Sequence, residues 1–349
     1  MPLCRAILLL PILVSLTSVG DADGSPRELV FLNWPDYMDP SLIEDFKRQY
    51  RVDFKEVYFE DDDHRTQLLV ESDGKGYDLA IVDGVNIAHY QKKGWLAAIS
   101  NADIPNLKHI NQRWRNAYPG TKTVGVPYFW GAVGIAYRED LVGEPVTRWA
   151  QLFNPSGELK HKITMMQNSR ELVGAALLAA GHSLNSIEIH ALNQAKRILL
   201  AQRPFVKNYR YTELDESAPL VTGEALVAMI YSGDALMLGQ YNANIKYQFP
   251  LEGGMLWADY IVVLNSSPNK DLAETFIDFI NKPKNAAKLA EFVYYPSPNV
   301  AAKKYLSKEY LNNPVINPDR AILDGSEFIL DLPPRFASKY TAIAVNVTQ

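Results

Sequence analysis

Trp257 and Asp259 sit two residues apart in EGGMLWADYIVVL (252–264), a run apolar enough to be a buried strand. Side chains on a strand alternate with a period of two, so this indole and this carboxylate share one face. Rings and acids are paired again in NWPDY (Trp34, Asp36, Tyr37) and YSGDA (Tyr231, Asp234), and Tyr294 and Tyr295 open the proline-rich turn FVYYPSPN. Asp83 and Glu171 stand at the ends of other elements. Any one of these, alone, is more ordinarily a core ring or an acid capping a helix. Together they suit a ligand built of ammonium groups joined by methylenes. An ammonium leaving water must be paired and hydrogen-bonded, and carboxylates are the fitting acceptors. Each such charge-assisted bond contributes roughly 1.5–3 kcal/mol. A flat ring covers the hydrocarbon and attracts the cation to its face, worth about 0.5–2 kcal/mol.

Strand and helix patterns alternate along the chain and would place these residues. ELVFLNW (28–34), VDFKEVYF (52–59) and YDLAIVD (77–83) read as strands, and DPSLIEDFKRQY (39–50), HRTQLLVES (64–72) and NIAHYQKKGW (86–95) as helices. In the first helix Leu42, Ile43, Phe46 and Tyr50 share a face, and Asp39 or Ser41 can cap it. The alternation resumes with HKITMM, SRELVGAALLAAG, EIHALNQAKRILLAQ and EALVAMIYSG, then the 252–264 strand and two helices, DLAETFIDFINKP and KNAAKLAEFVYY. Such alternation predicts a parallel or mixed α/β sheet, and at this length two lobes. Ligands of open α/β sheets bind beyond the carboxyl ends of strands, where Trp34, Tyr37, Asp83, Tyr231 and Asp234 fall.

The 349 residues are 47% hydrophobic and 21% charged, ordinary for a globular protein of about two domains. The net charge of −5 and the absence of a basic run argue against nucleic acid as a partner. At the start, Arg5 precedes an apolar run from Ala6 to Leu16, with Ser18, Gly20 and Ala22 following. This is the pattern of a cleaved secretory signal, and the run is too short for a membrane anchor. Cleavage near residues 20–23 would remove Cys4, the only cysteine, and leave an exported chain without disulfides. Phosphate-loop, dinucleotide, nucleophile-elbow and zinc-protease motifs are absent, and the six histidines are scattered. Acids in EDDDH (60–64) could hold a metal, but at a strand-to-helix junction they more simply cap the helix. No cofactor is called for.

The chain resembles the periplasmic spermidine/putrescine-binding proteins, the solute-binding subunits of polyamine ABC importers. The likeness runs over nearly the whole mature chain and is carried by LNWPDYMDPSLIEDF, YDLAIVDG, VPYFWGAVGIAYR, RWAQLF, SRELV, EGGMLWAD and YYPSPNVAAKK. It implies a two-lobed α/β periplasmic-binding-protein fold with a hinged interdomain cleft. The corresponding division is a signal peptide at 1–22, a first lobe at 23–132 plus 260–304, and a second lobe at 133–259 plus 305–349. By the same resemblance Trp34, Tyr37, Glu171, Trp257, Asp259 and Tyr295 line the cleft. Trp257 packs along the methylenes and Asp259 binds an amine. Tyr231 stands where some relatives have tryptophan, and Asp234 lies in a loop that supplies an acid in some. Three positions depart from the pattern. Asn168 replaces an aspartate, Pro35 a hydroxyl residue, and Asp83 a commonly neutral residue, so Asp83 is expected to offset the charge missing at Asn168. Glu327 is placed at the terminal polar contact. The resemblance implies a periplasmic monomer that closes on a polyamine and serves an inner-membrane ABC permease. The alternatives are a polyamine sensor that signals to a membrane receptor controlling cyclic-di-GMP, or a hydrolase on the same scaffold.

Overall fold

The computed structural model describes residues 26–349, so the signal read at 1–22 lies outside the described residues. The first half alternates as expected. Strands β1 (Glu28–Asn33), β2 (Asp53–Tyr58) and β3 (Leu79–Asp83) are followed by helices Pro40–Tyr50, Asp62–Glu71 and Gly84–Lys92. Each helix starts at an aspartate. Asp39, Asp61 and Asp83 accept from the backbone N–H groups of Ser41, His64 and Asn86, satisfying donors that a helix leaves free at its start. The helix Pro40–Tyr50 buries Leu42, Ile43 and Phe46, the face its spacing defines.

Two long strands organise the rest. Strand β4 (Gly125–Arg138) is buried at every residue, and β9 (Met255–Val263) runs antiparallel to it. The first half of β4 pairs with the second half of β9, alongside β3 and the parallel group β2-β1-β3. Its second half pairs with β7 (Val227–Tyr231) and β8 (Ile245–Gln248), and β5 (Ile163–Met165) joins β7 to β6 (Val206–Tyr209) in parallel. A short β10 (Glu327–Phe328) pairs with the start of β9. The β4/β9 register shifts between Pro127 and Trp130, so a bulge at Tyr128 and Phe129 lies where the chain passes between lobes.

Alternating strand residues feed separate cores. In the first lobe Phe31, Ile81 and Ile261 pack on one face of the sheet, and Leu32, Val82 and Tyr260 on the other. In the second lobe Val133, Met229 and Met255 face helices Ser169–Ala179, Ile189–Gln202 and Pro334–Thr348, while Ala136, Ala228 and Ile230 face the opposite side. Tyr310 and Ile316, assigned from sequence to the second lobe, are buried in the first-lobe core, whereas Ile329, Phe336 and Tyr340 are buried in the second. Among the described residues no helix is long and apolar enough to cross a membrane.

Candidate ligand-binding site

Trp257 and Asp259 lie on β9 where it leaves the second lobe for the first. The indole packs against the main cores of both lobes. Its ring meets Tyr295 at 5.0 Å and Tyr231 at 5.8 Å, both edge-on, so three aromatic side chains from three segments form one wall. Room for the indole comes from Gly131, its cross-strand partner on β4. A Cβ there would stand 2.6 Å from Trp257 Cζ2 and 3.1 Å from Tyr295 Cδ1. Gly131→Ala should therefore turn the indole out of the wall and lower amine affinity by about tenfold without unfolding the protein. Tryptophan fluorescence and calorimetry on the folded variant check this, and unchanged values for both would reject the placement.

Asp259 is buried and receives one hydrogen bond, from the Tyr37 hydroxyl to Oδ2 at 3.1 Å. Burial raises its pKa to about 8, and the charges of Asp62 and Asp83 add to the rise. Glu171 occupies the first turn of Ser169–Ala179 and accepts from the Tyr231 hydroxyl at 3.4 Å. Burial raises it to about 7, with Asp62 again contributing. Asp234, in the first turn of Ser232–Tyr241, is better provided for. Tyr295 donates to one oxygen at 2.7 Å and Tyr211 to the other, so burial raises its pKa against the pull of two hydroxyls. The Tyr295–Asp234 bond joins the lobes across the cleft. Burial also raises the phenols of Tyr37, Tyr211, Tyr231 and Tyr295, which leaves them neutral donors at physiological pH.

The structure thus brings together Tyr37, Glu171, Tyr231, Asp234, Trp257, Asp259 and Tyr295. Trp34 meets Phe59 with ring centroids 4.4 Å apart and planes tilted by 60°, and is partly buried just after β1. Three other positions stand apart. Asp36 is exposed, in the left-handed region with φ 55°. Asn168 is exposed at the N-cap position of Ser169–Ala179 and makes no side-chain cap bond. Glu327 accepts a hydrogen bond from Ser183. Among the described residues, no hydrogen bond or ring contact joins these three to the cluster.

Asp83 is in place but is not a free charge, contrary to the compensating role expected of it. Its carboxylate caps the helix Gly84–Lys92, accepts from the Asn86 side chain at 2.8 Å and pairs with Arg65 at 2.5 Å. Arg65 is fully buried and also pairs with Asp62 at 2.6 Å. Sequence reasoning missed Arg65, Asp62 and Tyr211. The run DDDHR held a signal for the first two, since Asp62 and Arg65 are three apart on a helix and can pair. It was read only as caps or a metal site. Asp61 is the cap, Asp62 and Asp63 fill the first turn, and His64 Nδ1 faces the Glu60 amide.

Two α/β lobes bridged by antiparallel strands, with buried acids and rings where they meet, define a solute-binding architecture. The chain belongs to the bacterial extracellular solute-binding protein family, whose sequence profile matches residues 41–318. It is 29% identical over 320 residues to the spermidine/putrescine-binding periplasmic protein of Escherichia coli (strain K12), with 90% of each chain covered. It is also 29% identical over 305 residues to the norspermidine sensor of Vibrio cholerae, covering 86% of this chain and 84% of that one. A crystal structure of the spermidine/putrescine ABC transporter substrate-binding protein of Streptococcus pneumoniae superposes with a TM-score of 0.83 at 27% identity, covering 92% of this chain and 98% of that one.

Proposed function

We propose that the protein is a periplasmic polyamine-binding protein that closes on its ligand and delivers it to an inner-membrane ABC permease, without chemistry of its own. The observation that carries this reading is the pair Asp259 and Glu171. Asp259 is buried and Glu171 partly so, both among aromatic rings, and among the described residues the only side chain that bonds either is one tyrosine hydroxyl. Their pKa values stand near 8 and 7 because burial outweighs the pull of Arg65 on Asp259 and of Arg170 on Glu171. An ammonium beside each would restore ionisation, and the rings of Trp257, Tyr231 and Tyr295 would cover the methylenes between. Micromolar affinity needs about −8 kcal/mol, which two charge-assisted pairs and ring cover can supply after the costs of association. The β4/β9 crossing with its bulge at Tyr128 and Phe129 is the natural hinge, and ligand contacts from both lobes favour the closed form.

The test is a thermal-shift panel on protein stripped of carried-over solute, with putrescine, cadaverine, norspermidine, spermidine and spermine. At a hundredfold excess over Kd, binding stabilises by about 2.7 kcal/mol, and a rise of several degrees is expected with at least one amine. No shift and no heat with any of them rejects the reading. A second reading, a sensor whose closed form contacts a membrane receptor, is favoured by the likeness to the norspermidine sensor. Recovery of a permease or of a receptor domain with the amine-loaded protein separates the two.

A further inference from the structure

Charge in the cleft is not spread evenly, and this bears on ligand length if the polyamine reading holds. The Arg65 side chain has no exposed surface. Its three donor nitrogens are all engaged: Nη1 to Asp62 at 2.6 Å, Nη2 to Asp83 at 2.5 Å and Nε to the Tyr90 hydroxyl at 3.3 Å. The rings of Phe59 and Tyr90 lie 5.4 and 5.7 Å from the guanidinium carbon. The group is therefore built in, a planar fork fixed from several directions. It stands beside the ligand acids, because Asp83 on β3 is the cross-strand partner of Asp259 on β9 and directly opposed strand residues share a face. Both oxygens of Asp83 are already occupied, by Asn86 and Arg65. Asp62 already gives Oδ1 to Arg65, and with 45% of its side-chain surface exposed it holds an ammonium more weakly than a fully buried acid would. Asn168 brings no charge. Asp234 is spoken for by Tyr211 and Tyr295. Asp259 and Glu171 remain, each bonded by no side chain but one tyrosine hydroxyl.

We propose that Arg65 is a resident cation holding the place of one ligand ammonium, so that the cleft selects a diamine over triamines and tetra-amines. Specificity of this kind comes from a repulsive element as much as from the attractive ones. A third ammonium meets a fixed positive charge and an aspartate already paired with it.

Calorimetry on the full chain with 1,4-diaminobutane and with spermidine tests this. The wild type should bind the diamine about tenfold tighter. Arg65→Met, which frees Asp62 and Asp83, should lower that preference at least tenfold by gaining spermidine affinity. Should Arg65→Met fail to fold because two acids are left unpaired, Arg65→Gln/Asp83→Asn removes the pair as a unit, leaves Asp62 free and should shift the preference in the same direction. A wild type that takes spermidine as tightly as the diamine, or variants with an unchanged ratio, overturns the assignment of Arg65 and leaves the polyamine reading standing. A wild type that binds neither amine nor any other in the thermal-shift panel sinks both.

Discussion

Asp259→Asn will weaken binding of every amine ligand by more than tenfold and, at the same time, make the ligand-free protein more stable above neutral pH. The two effects share one cause. The carboxyl is buried with a single hydroxyl partner, and its pKa stands at about 8 in the folded protein, against about 4 in an unfolded chain. Between those values the native state keeps a proton that the unfolded chain has released. Stability then falls as pH rises from about 4 to about 8, since the state that binds more protons is penalised as protons are withdrawn. Ionising the buried Asp259 carboxyl without an ammonium beside it costs on the order of 5 kcal/mol, limited by parting of the lobes, which returns the carboxylate to water. Asparagine has nearly the same shape and still accepts from Tyr37, but it does not titrate. Urea midpoints of stripped protein should fall between pH 5 and pH 8 for the wild type and less steeply for the variant, in which Glu171 still titrates. Calorimetry should show the loss of a charge-assisted bond. Equal affinities, or parallel pH profiles, would place Asp259 outside the binding site.

Local signals carried far in this chain, and long-range ones did not. The caps at Asp39 and Asp83, the apolar stripe of Pro40–Tyr50 and the shared face of Trp257 and Asp259 are set by residues within a few positions of one another. Strand β4 shows no alternation to read, because every one of its residues is buried, and a strand covered on both sides looks like any apolar run. The helix Pro334–Thr348 starts at the pair Pro333-Pro334, a start signal, and buries Phe336, Tyr340 and Ile343, yet it is absent from the expected elements. The Arg65–Asp83 pair spans 18 residues, the Tyr295–Asp234 bond 61 and the Tyr37–Asp259 bond 222. Which acid is free and which is already paired depends on these distant partners. The sequence alone therefore assigns a spare charge to Asp83, whose carboxylate in the structure is paired with Arg65.

Trp257→Ala should also lower amine affinity more than tenfold, and the way in which it does so separates ring cover from charge. The indole touches Tyr231 and Tyr295 and packs on both main cores, so its loss removes the wall and part of the contact between lobes. Because the ring is only partly buried, the cost to stability should fall below the 3–5 kcal/mol seen for fully buried tryptophan, at about 2 kcal/mol. A denaturant midpoint will measure it. Binding should respond to hydrocarbon rather than to charge. Each methylene buried against the ring contributes about 0.8 kcal/mol, roughly fourfold in affinity. Across 1,3-diaminopropane, 1,4-diaminobutane and 1,5-diaminopentane the wild type should show a marked dependence on chain length, and Trp257→Ala a flattened one. Trp257→Phe keeps a ring face over the chain and should retain most of the dependence. Asp259→Asn should lower all three affinities together and leave their ratios alone. If Trp257→Ala instead lowers the three diamines by a common factor, the indole supports the site from behind and does not line it.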